Sequence, residues 1–129
     1  MHDGHRNWET GRQIHIWGQN LNKSLTAQST FYHSLDANIY DLTLVQEPHF
    51  DFRGLSRVKR AYTSVYLQSH AAQHKATRSA IWVNSSIPSS NWQTIPMASP
   101  DITAIDLYSN FGTLRVVNVY IDCEHNDAL

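Results

Sequence analysis

An α/β fold, with one mixed sheet and at least one helix packed on it, is what this sequence predicts, on three observations. Two apolar runs, "IHIWG" at 14–18 and "DLTLV" at 41–45, flank a stretch whose apolar residues recur at helical spacing. Beyond residue 60 the apolar period changes to two in four separate stretches. The composition, 41% hydrophobic and 16% charged over 129 residues, is that of one globular domain large enough to bury a core.

The elements follow in order. Residues 1–12, "MHDGHRNWETGR", are polar and lack the apolar stretch of a signal peptide, so they read as an N-terminal extension. "QIHIWG" at 13–18 predicts a buried strand. Ser24 is placed to cap a helix running to about Asn38, with Leu25, Phe31, Tyr32, Leu35 and Ile39 on one apolar face and Gln28, Ser29 and Ser34 elsewhere. "DLTLVQ" at 41–46 predicts a second strand, and strand–helix–strand implies a parallel pair. Strands are then expected at 61–68, 78–84, 101–108 and 113–121, separated by the loop chemistry of "HAAQHKAT", "SSIPSSN" and "SNFG". In the last strand, alternation puts Val117, Val119 and Ile121 on one face and Val116, Asn118 and Tyr120 on the other.

A net charge of −1 conceals an asymmetry. Arg53, Arg57, Lys59, Arg60, Lys75 and Arg78 are six of the ten basic residues, and no acid lies between Asp51 and Asp101. That segment predicts either attraction to a phosphate backbone, falling steeply with salt, or a solvated loop and strand face. One cysteine, Cys123, permits no internal disulfide and no zinc site of its own. No segment has the apolar length of a membrane span, so an intracellular protein without membrane contact is expected.

Chemistry-bearing residues gather at strand ends. Asn20 follows the first strand, Glu47 the second, and Asn118 and Tyr120 end the last; Asn22 and Gln46 flank them. In open α/β sheets, ligand sites collect at the C-terminal ends of strands. Singly, each has a structural reading: Glu47 as a surface carboxylate, Asn20 as a turn residue, Tyr120 as a half-buried aromatic. Together, one carboxylate, one amide oxygen and several waters make the oxygen shell that Mg²⁺ accepts when a substrate phosphate completes it. A tyrosine hydroxyl nearby could donate to that phosphate.

The order "IHIWGQNLNKS", helix, "YDLTLVQEPHF", "RSAIWVN", "SPDITAIDL" and "LRVVNVYIDCEHNDAL" resembles the endonuclease/exonuclease/phosphatase family. It is most similar to the apurinic-type endonuclease domain of LINE-type retrotransposons, over residues 13–129. The resemblance implies the N-terminal half of a four-layered α/β sandwich that hydrolyses phosphodiesters with Mg²⁺, or Mn²⁺ in its place. It implies Asn20 as an active-site asparagine and metal ligand, Glu47 as the metal-ligand glutamate, and Tyr120, preceded by Asn118, as a phosphate contact. The implied partners are the DNA phosphate backbone and either the C-terminal half of the domain or a reverse transcriptase region of a longer parent, with the nucleus as a natural location.

The family's Asp-x-Asn segment and its terminal Asp-His pair, which orient the nucleophile and supply the base, do not occur in these 129 residues. The chain alone is therefore expected to be inactive, with its sheet lacking the partner sheet that would cover the inner apolar face. The other reading is a noncatalytic α/β module that binds nucleic acid or protein with the same surface.

Overall fold

The computed structural model describes residues 13–50, 60–66, 77–110 and 112–121. The 1–12 extension, most of the basic segment (Arg53, Arg57, Lys59 and Lys75) and Cys123 lie outside the described residues. Two sheets stand face to face with one helix outside the first, which makes an α/β sandwich. The first sheet holds β1 (Ile16–Asn20), β2 (Leu42–Gln46), β3 (Tyr62–Val65) and β4 (Ser79–Asn84) in the order β1-β2-β4-β3. β1 and β2 are parallel, as the strand–helix–strand order requires, and the other pairings are antiparallel. The second sheet is β5 (Trp92–Ile95), β6 (Ile102–Ser109) and β7 (Gly112–Val119), antiparallel throughout. Gly112, at φ 106°, closes the β6–β7 hairpin in a conformation that side chains rarely adopt.

The expected mixed sheet is present with its helix. What the sequence pattern did not separate is the second sheet, whose strand β5 was passed over because "WQTI" follows a Pro/Ser-rich loop and a 3₁₀ turn at Ser89–Asn91. That division removes the need for an outside cover on the inner face. Leu42, Ile81 and Val83 of the first sheet and Ile105, Leu107 and Val116 of the second share one buried cluster. The opposite face of the first sheet, with Val45, Ala80 and Trp82, buries against Leu21, Leu35, Phe31 and Tyr32 from the helix and its flanks. Burial on both faces explains why "AIWV" reads as an unbroken apolar run: every residue of β4 is buried.

The helix, α1 (Leu25–Ser34), starts where Ser24 Oγ accepts the Ala27 N–H at 3.0 Å. It ends four residues before the expected Asn38. Asp36 Oδ1 accepts the Asn38 N–H at 2.9 Å, a local turn that competes with a further helical bond. The shortened helix also changes its buried face. Leu25 and Ile39 are exposed, whereas Gln28, expected to point away, is fully buried and accepts the His49 N–H at 2.8 Å through Oε1.

Each sheet has two edge strands among the described residues, β1 and β3 in the first and β5 and β7 in the second. The first strand, expected to be buried, is exposed throughout as β1, because it stands at a sheet edge; β7 turns Val117 and Val119 outward and Val116 and Asn118 inward, the two faces that its alternation separates. Among the described residues, no helix is long and apolar enough to cross a membrane.

Candidate functional site

One end of the sandwich gathers the C-terminal ends of β1, β2 and β7 and the N-terminal ends of β4 and β6, because β2 and β4, like β6 and β7, run antiparallel. The registers Asn20↔Gln46↔Ser79 and Ile102↔Val119 fix this alignment. Asn20 and Glu47 therefore sit at neighbouring strand ends, and Tyr120 leaves β7 at the same end.

The backbone here is unusual. Asn22, Lys23 and Glu47 have φ of 52°, 57° and 53°, and they are the non-glycine positive-φ residues among those described. Asparagine tolerates this region; lysine and glutamate do so at a cost of about 1–3 kcal/mol each, met only where surrounding bonds over-determine the geometry. Those bonds are present. Lys23 N donates to Glu47 O at 2.8 Å, Leu21 N to Gln46 O at 2.8 Å, and Glu47 N to Arg78 O at 2.9 Å. Asn20 Oδ1 accepts the Asn22 N–H at 2.8 Å, folding the chain back over the strand end.

Beneath these groups the interior changes from apolar to hydrogen-bonded. Asn118, almost fully buried on β7, donates its two amide hydrogens across to the first sheet, to Val45 O and Ala80 O, both at 2.9 Å. Ser79 Oγ donates to Asn118 O, and Thr103 Oγ1 to Ser79 O, each at 2.9 Å. Gln46 Nε2 donates to Val119 O at 3.0 Å. A satisfied buried network of this kind fixes the two sheets in one relation. Asn118, grouped by the sequence with the reactive residues, is in this geometry a clamp that positions them.

Arg78 links the carboxylate side to the tyrosine side. Its Nε and Nη2 bond the two oxygens of Asp101 at 2.8 and 3.0 Å, and its guanidinium lies 4.9 Å from the centre of the Tyr120 ring. Tyr120 N in turn donates to Asp101 O at 2.8 Å. Arg78 had counted toward a cationic segment; here Asp101 offsets its charge. Lys23 Nζ donates to Thr77 O at 2.9 Å. Burial pushes the Lys23 ammonium below the ordinary lysine range; Glu47 opposes that shift, Arg78 adds to it, and Asp101 opposes it.

Asn20, Glu47 and Tyr120 are thus brought to one end of the molecule, with Gln46 and Asn22 beside them and Asn118 underneath. Lys23, Arg78 and Asp101 were missed as site residues. The signal for Arg78 and Asp101 was topological: each begins a strand antiparallel to one that ends in a candidate residue.

Two face-to-face sheets with an outer helix, and polar side chains crowded at one end, make an α/β sandwich with a candidate site at that end. The structure is similar to that of the endonuclease domain of TRAS1, a telomere-specific non-LTR retrotransposon, with a TM-score of 0.58 at 14% identity. The match covers 85% of this chain and 45% of that one, so the chain spans less than half the length of this neighbour. No family model and no curated protein matches the sequence.

Proposed function

We propose that this chain forms the N-terminal part of a Mg²⁺-dependent phosphodiesterase, a DNA endonuclease of retroelement type. The observation that carries the reading is the convergence of Asn20, Glu47 and Tyr120 at one end of an endonuclease-like sandwich, at the point where the backbone is strained. Strain concentrated at strand ends is characteristic of sites whose geometry is held for function.

The residues fit Mg²⁺ in part. Glu47 supplies one carboxylate, and Mg²⁺ uses one or two, taking its other oxygens from water and substrate phosphate. Asn20 Oδ1 gives one lone pair to the Asn22 N–H and has a second for the ion. Among the described residues no three His, Cys, Asp or Glu side chains gather. A divalent ion held here would polarise a phosphoryl oxygen and stabilise charge on the departing one. The chain's own groups bind and position: Tyr120 donates to a non-bridging oxygen, Arg78 steadies its ring, and Asn118 holds the two strand ends at a fixed spacing.

In this reading nucleophile activation belongs to the part of the TRAS1-like domain that this chain does not span. The greater length of the TRAS1 domain supports this. Purified alone, the chain is expected to leave supercoiled plasmid intact in Mg²⁺. A version continued through whatever coding sequence follows Leu129 is expected to nick it, and Glu47→Gln to abolish the nicking. An extended protein with Asp-x-Asn and Asp-His segments that does not nick would sink the proposal. Nicking that survives Glu47→Gln would do the same.

A further inference from the structure

Between β1 and the C-terminal turn of α1, Trp17, Gln19, Phe31, Ser34, Leu35 and Tyr40 line a cavity of about 330 Å³ that the reading above leaves unused. Its walls are fixed by packing. The Phe31 ring lies against the fully buried Trp82, with centroids 5.7 Å apart, and Leu35 is buried in the same cluster. The Trp17 and Tyr40 rings meet at 65° with centroids 5.5 Å apart, so they form a corner. Tyr40 is tied down through its backbone: its N–H donates to Asp36 O at 3.1 Å, and its carbonyl accepts from Tyr62 Oη at 2.9 Å and Asn84 Nδ2 at 3.0 Å.

The lining selects by charge. Half of the six side chains are aromatic, and aromatic faces attract cations. Ser34 and Leu35 bring the C-terminal end of α1 to the same cavity, and a helix C-terminus carries partial negative charge. Among the described residues no charged side chain lines it, so an anion finds no partner there and a cation meets no repulsion. His33, the basic residue of the last turn, is outside the lining, and its Nδ1 lies 2.8 Å from Ser29 O, one turn back.

The polar atoms narrow the choice of cation. Gln19 Oε1 accepts the Trp17 Nε1–H at 3.2 Å, and Ser34 Oγ donates to Phe31 O at 2.9 Å. With no carboxylate and these oxygens engaged, a lysine ammonium or a guanidinium would give up its water without matching acceptors. A quaternary ammonium has no N–H to satisfy. The volume, at the low end of the ~300–1,000 Å³ of small-molecule pockets, suits a compact head group on a short stem.

We infer that this cavity binds a trimethylammonium group, held by cation–π contact with Trp17, Phe31 and Tyr40. The site shares no residue with the strand ends around Glu47 and does not depend on the phosphodiesterase reading.

The test is a titration of the ¹⁵N-labelled chain with choline and, in parallel, with 3,3-dimethyl-1-butanol, its uncharged isostere. Choline is expected to shift the Trp17 indole N–H and the amides of Phe31 and Tyr40, and to bind about tenfold tighter than the alcohol. Nε-trimethyllysine should share the site, with lysine about tenfold weaker, and the tighter of choline and trimethyllysine identifies the carrier. Trp17→Leu, at an exposed edge position whose loss spares the core, should erase the preference for choline over the alcohol, and Trp17→Phe, which keeps a π-face, should retain part of it. Equal affinities for choline and the alcohol, equal affinities for trimethyllysine and lysine, or an unchanged preference in Trp17→Leu overturn the site. Shifts that bypass the three named groups do so as well.

Discussion

Replacing Asn118 separates its two possible roles. If it is the clamp the geometry describes, Asn118→Ala removes two buried hydrogen bonds, to Val45 O and Ala80 O, each 2.9 Å long. At about 1 kcal/mol net per bond, and about 1 kcal/mol more for the void left by the amide, the loss is roughly 3 kcal/mol. At this chain length that lowers Tm by roughly 10–15 °C. Asn118→Asp is the sharper variant, since it keeps the shape but sets a carboxylate against two carbonyl oxygens. It should be worse than Ala by about 2 kcal/mol at neutral pH and recover in part in acid, as the carboxyl gains a proton. Asn20→Ala is the control: it opens only an exposed turn and should cost about 0.5 kcal/mol. Urea denaturation followed by tryptophan fluorescence suits the measurement, because Trp82 is fully buried beneath the helix. An Asn118→Ala variant within about 0.5 kcal/mol of the parent, or an Asp variant no worse than Ala, would refute the clamp.

Three further outcomes follow from the same packing and charges. Thr43 is fully buried and its hydroxyl has no hydrogen-bond partner among the described residues, so Thr43→Val should raise stability by about 1 kcal/mol in the same urea assay. The half-exposed Arg78–Asp101 pair should show a coupling of only about 0.5–1 kcal/mol in a double-mutant cycle of Arg78→Met and Asp101→Asn, and a value near zero would mean that solvent screens it fully. Lys23 has a folded-state value below the ordinary 10.5, so in the alkaline window between the two the unfolded chain binds more protons and stability should rise with pH. Lys23→Met should flatten that rise in urea melts taken across the window; an unchanged slope would locate the titration elsewhere.

Much of the fold was legible because it depends on local periodicity. β2 and β4 are buried on both faces and show as continuous apolar runs, while the alternation in β7 separated its two faces correctly. What the pattern could not give is which strands share a sheet. Period two looks the same in either sheet, and β5, four residues after a Pro/Ser loop with two of them exposed, carries too little signal to be seen. The helix departs from its pattern at its end and at Leu25, Gln28 and Ile39, and Gln28 shows why. Gln28 was assigned outward by polarity, yet it is buried because the His49 N–H requires an acceptor there, a need that arises 21 residues away.

The candidate site divides along the same line. Asn20, Glu47 and Tyr120 were visible because each stands at a strand end: Asn20 is the last residue of β1, and Glu47 and Tyr120 directly follow β2 and β7. Arg78 and Asp101 precede their strands, and only the antiparallel pairings of β2 with β4 and β6 with β7 carry them to the same end. Lys23 was hidden differently: its position follows from a positive φ, which no residue type other than glycine or asparagine announces in sequence. The charged neighbours of the β2 end were therefore the ones sequence could not find. Pairing and backbone strain, rather than residue identity, bring the Lys23 and Arg78 backbones into hydrogen bonds with Glu47.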